Sequence, residues 1–428
     1  MIIVIIFIDI FYKKLKLHLP ILPQNLRKVK KIILTLSNLY GNILTMLKGQ
    51  DILCISTADW DNIGWTNKQH IMSRLSKTNR ILYIESLGLR QPTIKKKDIL
   101  RILKRIKDWF KGPRKINENL FVYSPIILPL HKIKIVQKIN HLVLWITLKL
   151  LLTRLRFKNP ILWTYSPPTA SLIGRLNEKL VIYHCVDELS ATPGIATSTI
   201  LKMEEKLLKK ADLVFTTSRS LYEKKKVFNQ NTYYLPNVAD VAHFMTASGD
   251  LPIPEDIANI KPPIIGFIGT IVSYKLDISL IKHIALTHSE WSVVLIGDAG
   301  EDIEEFQFIP NIFMLGGKRY ELLPGYIKAF DVCILPNKIN EYTQNMFPMK
   351  FFEYLATGKP IVLTKLCAVN EYAEICYIAR DKEEFVRYIR QALTEDDLPL
   401  KQRRIEIAKK NTWEVRIEEM SKLIEEKM

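Results

Sequence analysis

Residues 343–362 read TQNMFPMKFFEYLATGKPIV, and Pro348, Lys350, Glu353 and Gly358 fall close together within them. Apolar runs flank the segment, VCILP before it and IVLT after it. A helix between two strands fits this pattern. Pro348 suits the first helical turn, where its missing N–H costs nothing. Phe351, Phe352 and Leu355 offer a packing face, Gly358 suits the C-terminal cap, and Pro360 stops continuation. The start of such a helix binds anions, because its free N–H groups point outward at the positive end of the dipole. Lys350 adds a full charge. Glu353 follows Pro348 by roughly 7–8 Å along the axis, about the span from a diphosphate to its ribose, and a carboxylate accepts from both hydroxyls of a ribose diol. The chemistry indicated is capture of a nucleoside diphosphate. On spacing alone, an i,i+3 surface ion pair between Lys350 and Glu353 accounts for the same residues.

The elements that position such a site recur along the chain. From Asp51 onward, strand-length apolar runs precede amphipathic helical stretches. ILCIS precedes NKQHIMSRLSK, ILYIES a basic stretch, LFVYSP a long run over 133–155, and ILWTYSP precedes TASLIGRL. VIYHCVD precedes TILKMEEKLLKKA, LVFTTS precedes RSLYEKKK, and TYYLPN follows. Continuous apolar strands alternating with helices predict a parallel sheet covered on both faces. Residues 246–263, rich in proline and small polar residues, read as a linker. A second series then runs through IIGFIGT, WSVVLIGD, IFMLGG, VCILP, IVLT and CYIAR, and helical segments close the chain. The expected fold is α/β, with two tandem doubly wound Rossmann-like domains over 46–245 and 264–405. Ligands of such sheets bind beyond the carboxyl ends of the strands, which makes the cleft between the domains the expected site.

A chain of 428 residues exceeds one ordinary domain. Its hydrophobic share of 48 % and charged share of 25 % are those of a soluble protein with a substantial core. A net charge of +18 favours polyanionic partners: phosphorylated substrates, an anionic membrane face or nucleic acid. Cys54, Cys185, Cys333, Cys367 and Cys376 form no CxxC pair, and three of them sit in strand-like runs, as reduced core residues of a cytosolic protein do. No metal site is expected. The apolar start of the chain is broken by Asp9 and ends by Tyr12, short of the ~20 residues of a spanning helix. Residues 1–45 are expected to be a poorly structured extension or an overlong start, with a weak interfacial anchor as the alternative.

The pattern P-x-K-x-x-E-Y-L-A-x-G-K-P-I-V resembles the donor-site signature of family 4 glycosyltransferases with the GT-B fold. NIFMLGGKRYELLPGYIKAFDVCILPNKINEYTQN resembles the segment before that signature in teichuronic-acid-type and capsule glycosyltransferases. KKADLVFTTSRSLYEKK with YYLPNVADVAHF, TNKQHIMSRLSKTNRILYIES, and NTWEVRIEEM resemble other segments of those enzymes in the same order. The resemblance runs from Asp51 to the C-terminus. It implies that 406–428 crosses back onto the first domain. It further implies a hexosyltransferase, retaining at the anomeric carbon, that uses a UDP- or GDP-type sugar and no other cofactor. The donor residues it implies are Gly269, Thr270, Lys275, Lys318, Asn345, Pro348, Lys350 and Glu353, with Lys275 and Lys350 sharing the diphosphate. Two positions depart from the family pattern. Asn345 replaces the first glutamate of E-x7-E, and Thr270 stands where an arginine is common.

In the first half, YHCVDELS puts His184, Asp187 and Glu188 at a strand end facing the cleft. By analogy Asp187 binds an acceptor hydroxyl and joins Lys275 and Lys350 as a catalytic candidate; a helix cap for Asp187 and a core role for His184 are the alternatives. STADWDNIGW, with Asp59, Asp61 and Gly64, is expected on the acceptor side, where Trp60 and Trp65 fit packing equally well. In 95–115, Ile99, Ile102, Leu103, Ile106, Trp109 and Phe110 follow helical spacing while Arg101, Lys104, Arg105 and Lys107 lie mostly elsewhere. That arrangement suits an anionic membrane surface, or a helix packed on the sheet with a solvated basic face. A nucleic-acid role has no supporting module. The expected function is transfer of a hexosyl unit to a glycan or lipid-linked acceptor of a surface polysaccharide such as capsule, by a cytoplasmic protein peripheral at the inner membrane face. A nucleotide-sugar epimerase on the same fold and a non-catalytic basic membrane scaffold are the alternatives.

Overall fold

The computed structural model describes residues 46–88, 109, 111–127, 134–395 and 397–428. The expected N-terminal extension and the basic residues Arg101, Lys104, Arg105 and Lys107 lie outside the described residues. Residues 47–428 form one compact unit.

Every strand-like run named above pairs in a sheet. The first sheet holds β1 (Asp51–Ile55), β2 (Arg80–Ile84), β3 (Arg114–Lys115), β4 (Leu120–Tyr123), β5 (Ile161–Thr164), β6 (Leu180–Cys185), β7 (Leu213–Thr216) and β8 (Thr232–Tyr234). Their order is β3-β4-β2-β1-β5-β6-β7-β8. The second holds β9 (Ile264–Ile268), β10 (Ser292–Ile296), β11 (Ile312–Gly316), β12 (Val332–Leu335), β13 (Ile361–Thr364) and β14 (Tyr377–Ala379), in the order β11-β10-β9-β12-β13-β14. All pairings are parallel except that of β3 with β4. Central strands β5, β6, β9 and β12 are buried along their whole length, as unbroken apolar runs require when helices cover both faces. β3 lies in the stretch expected to be a basic helix; two residues carry no period to reveal a strand.

Three further expectations change. TASLIGRL forms only a 3-10 turn over Pro167–Ser171, and the backbone leaves the helical region at Gly174, with φ +81°. Residues 246–263 are packed rather than loose: Glu255–Ala258 is helical, Ile257 is buried, and Lys328 Nζ donates to the carbonyls of Gly249 and Leu251. Val241, Phe244 and Ile257 belong to the core of the second domain, so its boundary lies earlier in the chain. At the other end, a cut at 406 falls inside the helix Leu398–Lys410, which holds buried Arg404 against Glu395 and the carbonyl of Ile375. The chain breaks after Asn411, Thr412 caps the next helix, and Trp413–Lys427 crosses to the first domain. There Trp413 stacks on His70 at 5.1 Å, Arg74 pairs with Glu414 at 2.8 Å and Asp240 at 3.0 Å, and Leu47 N–H donates to Ser421 Oγ.

The long apolar run forms the helix Lys134–Arg154. Its stretch Ile135–Arg154 is long and apolar enough to cross a membrane by length and composition. Leu144, Leu148 and Leu151 face the first domain's core, while Ile135, Ile139, Leu142, Ile146 and Leu150 are exposed.

Candidate active site

In both sheets the strand order reverses once, between β1 and β5 in the first and between β9 and β12 in the second. A crevice opens beyond the carboxyl ends of the strands at such a point. The expected residues stem from these ends. Asp59 follows β1, and Asp187 follows β6, beside β5; Gly269, Thr270 and Lys275 follow β9; Asn345 and the helix Met349–Thr357 follow β12.

Two side-chain groups form there. In the first, Tyr342 O–H donates to Asp187 Oδ1 at 3.0 Å, joining the two domains. Lys275 Nζ stands 5.3 Å from the ring centre of Tyr342 and 5.7 Å from that of Tyr274. Among the described residues Lys275 makes no ion pair with a carboxylate. The loop carrying Asp187 is held from behind by Glu188, which reaches Lys225 at 3.5 Å; Lys225 in turn pairs with Glu204 at 2.8 Å, all three buried. Asp187 therefore orients toward the cleft instead of capping a helix.

The second group sits on the helix Met349–Thr357. Phe351, Phe352 and Leu355 bury completely, as expected. Pro348 occupies the capping position, one residue before the first helical turn. Gly358 closes the helix at φ +74°, where a Cβ would also meet Lys401 at 2.6 Å. Lys350 Nζ lies 2.5 Å from Glu353 Oε2, and Glu353 is 1 % exposed. The i,i+3 pair is made, with its carboxylate in the interior and its lysine partly exposed. Burial pushes the Glu353 carboxyl up, and the Lys350 charge pulls it back. His243 and Tyr320 stack at 4.7 Å nearby, and burial followed by the Glu353 charge raises the Tyr320 phenol.

Residues 262–395 match the family described as Glycosyl transferases group 1. Residues 262–395 form a group 1 glycosyltransferase domain. The putative teichuronic acid biosynthesis glycosyltransferase TuaH of Bacillus subtilis strain 168 is 27 % identical over 272 residues, covering 59 % of this chain and 68 % of that one. Among solved structures, Anabaena Alr3699/HepE in complex with UDP and glucose superposes with a TM-score of 0.60 at 14 % identity, over 89 % of this chain and 100 % of the other. Sucrose-phosphate synthase of Thermosynechococcus elongatus gives 0.65 at 14 %, over 88 % and 99 %. The fold is GT-B, with two facing Rossmann-like domains, and the chain is a glycosyltransferase.

In this glycosyltransferase the remaining expected residues divide. Thr270 is exposed at the mouth of the cleft. Gly269 and Gly297, at φ +158° and +147°, touch: a Cβ on Gly297 would meet the Gly269 carbonyl at 1.9 Å, and that close approach turns the loop toward Thr270 and Lys275. Gly297 has no motif around it that spacing alone would single out. Asn345 is buried; its carbonyl accepts from Ser218 Oγ of the first domain at 2.9 Å, and its side-chain oxygen has no partner. Lys318 is tied to Asp256 at 2.7 Å, on the segment that reads as a linker. His184 is buried against Tyr165 and Phe215, burial drives its imidazole down to about 3, and both ring nitrogens lack partners. Gly64 is exposed in open space, Asp61 pairs with Arg114 at 2.6 Å, and Asp59 accepts from Gln69 through its backbone carbonyl. Trp60 packs on Trp65 and Tyr83. Tyr342 is the contact that sequence reasoning misses: it lies in a quoted motif, yet its partner is 155 residues away.

Proposed function

We propose that this glycosyltransferase moves a hexosyl unit from a UDP- or GDP-type sugar, with retention, to a glycan or lipid-linked acceptor of a surface polysaccharide such as capsule, at the inner membrane face. The observation that carries this reading is the cleft itself: Lys275 and the helix start at Pro348 and Lys350 on one wall, Asp187 on the other. The relative named for teichuronic acid biosynthesis and the neighbour solved with UDP-glucose support the same donor and product classes. The outward apolar face of Ile135–Arg154 and the net charge of +18 support the membrane-surface reading.

On this reading Lys275 stabilises the charge that grows on the departing nucleoside diphosphate, an interaction strongest in the transition state. Lys350 leaves Glu353 for phosphate oxygen, and Glu353 then accepts from the ribose hydroxyls. Asp187 exchanges Tyr342 for an acceptor hydroxyl. The test is a thermal-shift screen of UDP, GDP, ADP and their sugars, since a ligand bound only by the native state raises its apparent stability, followed by donor hydrolysis and transfer to lipid-linked glycans. A rise with one nucleotide class and transfer of its hexose are expected. No shift and no hydrolysis with any donor would defeat the proposal.

A further inference from the structure

Lys68 is the second residue of the helix Asn67–Leu75, which follows β1. It is 6 % exposed. Among the described residues it makes no ion pair and no hydrogen bond; Nζ lies 5.4 Å from the ring centre of Tyr165. Tyr165 follows β5, so Lys68 and Tyr165 line the point where the first sheet reverses its order. A ligand is expected in that crevice.

For the fold alone this lysine is a liability twice over. Removing a charge from water without a partner is costly, and a cation in the first turn opposes the helix dipole. Burial holds the ammonium below its ordinary range. The charged groups that act on it are Asp187, whose carboxylate favours its charge, Lys275, which repels it from the second domain, and the thiol of Cys54 on β1. His184 on β6 in turn feels Lys68. Around it, Tyr165 Oη, Ser166 Oγ and both His184 nitrogens are buried without partners. Among the described residues neither Lys68 nor Lys275 has a carboxylate paired to it, while Asp187, whose charge acts on Lys68, is engaged by Tyr342.

We propose that Lys68 is an anion-binding residue of the cleft and that Lys68 and Lys275 close on the two sides of a diphosphate. This deepens the nucleotide-sugar reading and rests on it for the identity of the natural ligand. The anion turns two mutually repelling charges into a neutralised set, and it supplies the partner that buried Lys68 lacks.

The test uses the full chain, with pyrophosphate and UDP as probes, titrated calorimetrically at fixed ionic strength against wild type, Lys68→Met and Lys275→Met. Lys68→Met is expected to lose at least about tenfold in pyrophosphate and UDP affinity, while its unfolding midpoint equals or exceeds that of wild type, because an unpaired buried charge is removed. Gain of stability with loss of anion binding is the signature that a structural lysine would not give. Unchanged pyrophosphate affinity, or a lower midpoint matching the lost affinity, would overturn the proposal. Pyrophosphate bound through Lys68 by a protein that turns over no nucleotide sugar would sink the transferase reading and leave the anion site standing. Full hexosyl transfer and full pyrophosphate affinity in Lys68→Met would sink the anion site alone.

Discussion

The cleft holds two lysines from the second domain in opposite electrostatic states. Lys350 is neutralised by Glu353, three residues along the same helix; the carboxylate is buried and the lysine partly exposed. Lys275 rests on aromatic rings with Lys68 in its field and no carboxylate paired to it. A cation paired with a buried carboxylate holds that carboxylate in place, so its loss is felt by the fold as well as by the phosphate it grips. An uncompensated cation costs the fold something and gains only from a ligand, so its loss is felt by the reaction. Similar residue types at neighbouring strand ends are therefore expected to separate in a stability assay, where only Lys350 fails.

The largest effect expected is on stability. Lys350→Met strands the Glu353 carboxylate in the interior, and breaking a buried pair costs about 3–5 kcal/mol. The midpoint of urea unfolding is expected to fall accordingly, and an unchanged midpoint would erase the contrast with Lys275. Next comes Lys275→Met, which is expected to leave unfolding within about 0.5 kcal/mol of wild type. Its turnover is expected to fall about a hundredfold, near 3 kcal/mol of transition-state stabilisation. Steady-state rates with the donor found in the nucleotide screen check this; a variant that keeps full turnover places the diphosphate elsewhere. A smaller change should follow Tyr342→Phe. It removes one hydrogen bond to Asp187, about 1 kcal/mol, and should weaken the contact between domains while leaving donor affinity within about twofold. Donor titration together with unfolding of the same variant separates the two.

The smallest prediction concerns His70, which packs on Trp413 and on Tyr320 of the second domain. Burial, then the charges of Arg74, Lys350 and His243, hold its imidazole well below the ordinary 6.5. A group whose folded value is depressed stabilises the fold above its unfolded value, and that contribution is lost as pH falls toward the folded one. Wild type should therefore lose stability below about pH 6.5 relative to His70→Phe, which keeps an aromatic ring against Trp413. Unfolding midpoints of both proteins at pH 8 and pH 5 decide it: a gap that does not move in favour of the phenylalanine variant at the lower pH would mean that burial does not depress this imidazole.

The sequence by itself determined the elements that depend on near neighbours. The apolar runs of β1, β6, β9 and β12 mark buried parallel strands because both their faces must be covered. The helix at 349–357 carries its start in Pro348, its packing face in Phe351, Phe352 and Leu355, and its stop in Gly358. Local turn and capping chemistry needs no distant partner, so it is legible in a window of ten residues. Tertiary structure alone decided which polar residues are buried and what they meet. Nothing near Lys68 in the chain announces that Tyr165 covers it, or that the charge of Lys275 on the other domain acts on it. The Lys350–Glu353 spacing allows a surface pair and a ribose site alike, and only packing against the His243 and Tyr320 side of the domain puts the Glu353 carboxylate in the interior. Nothing in the stretch 246–263 sets Ile257 apart from Leu251, Ile253 and Ile260 as the residue over which the second domain's core closes. Desolvation and pairing are set by atoms brought together from far along the chain, and those contacts give a charged side chain its function.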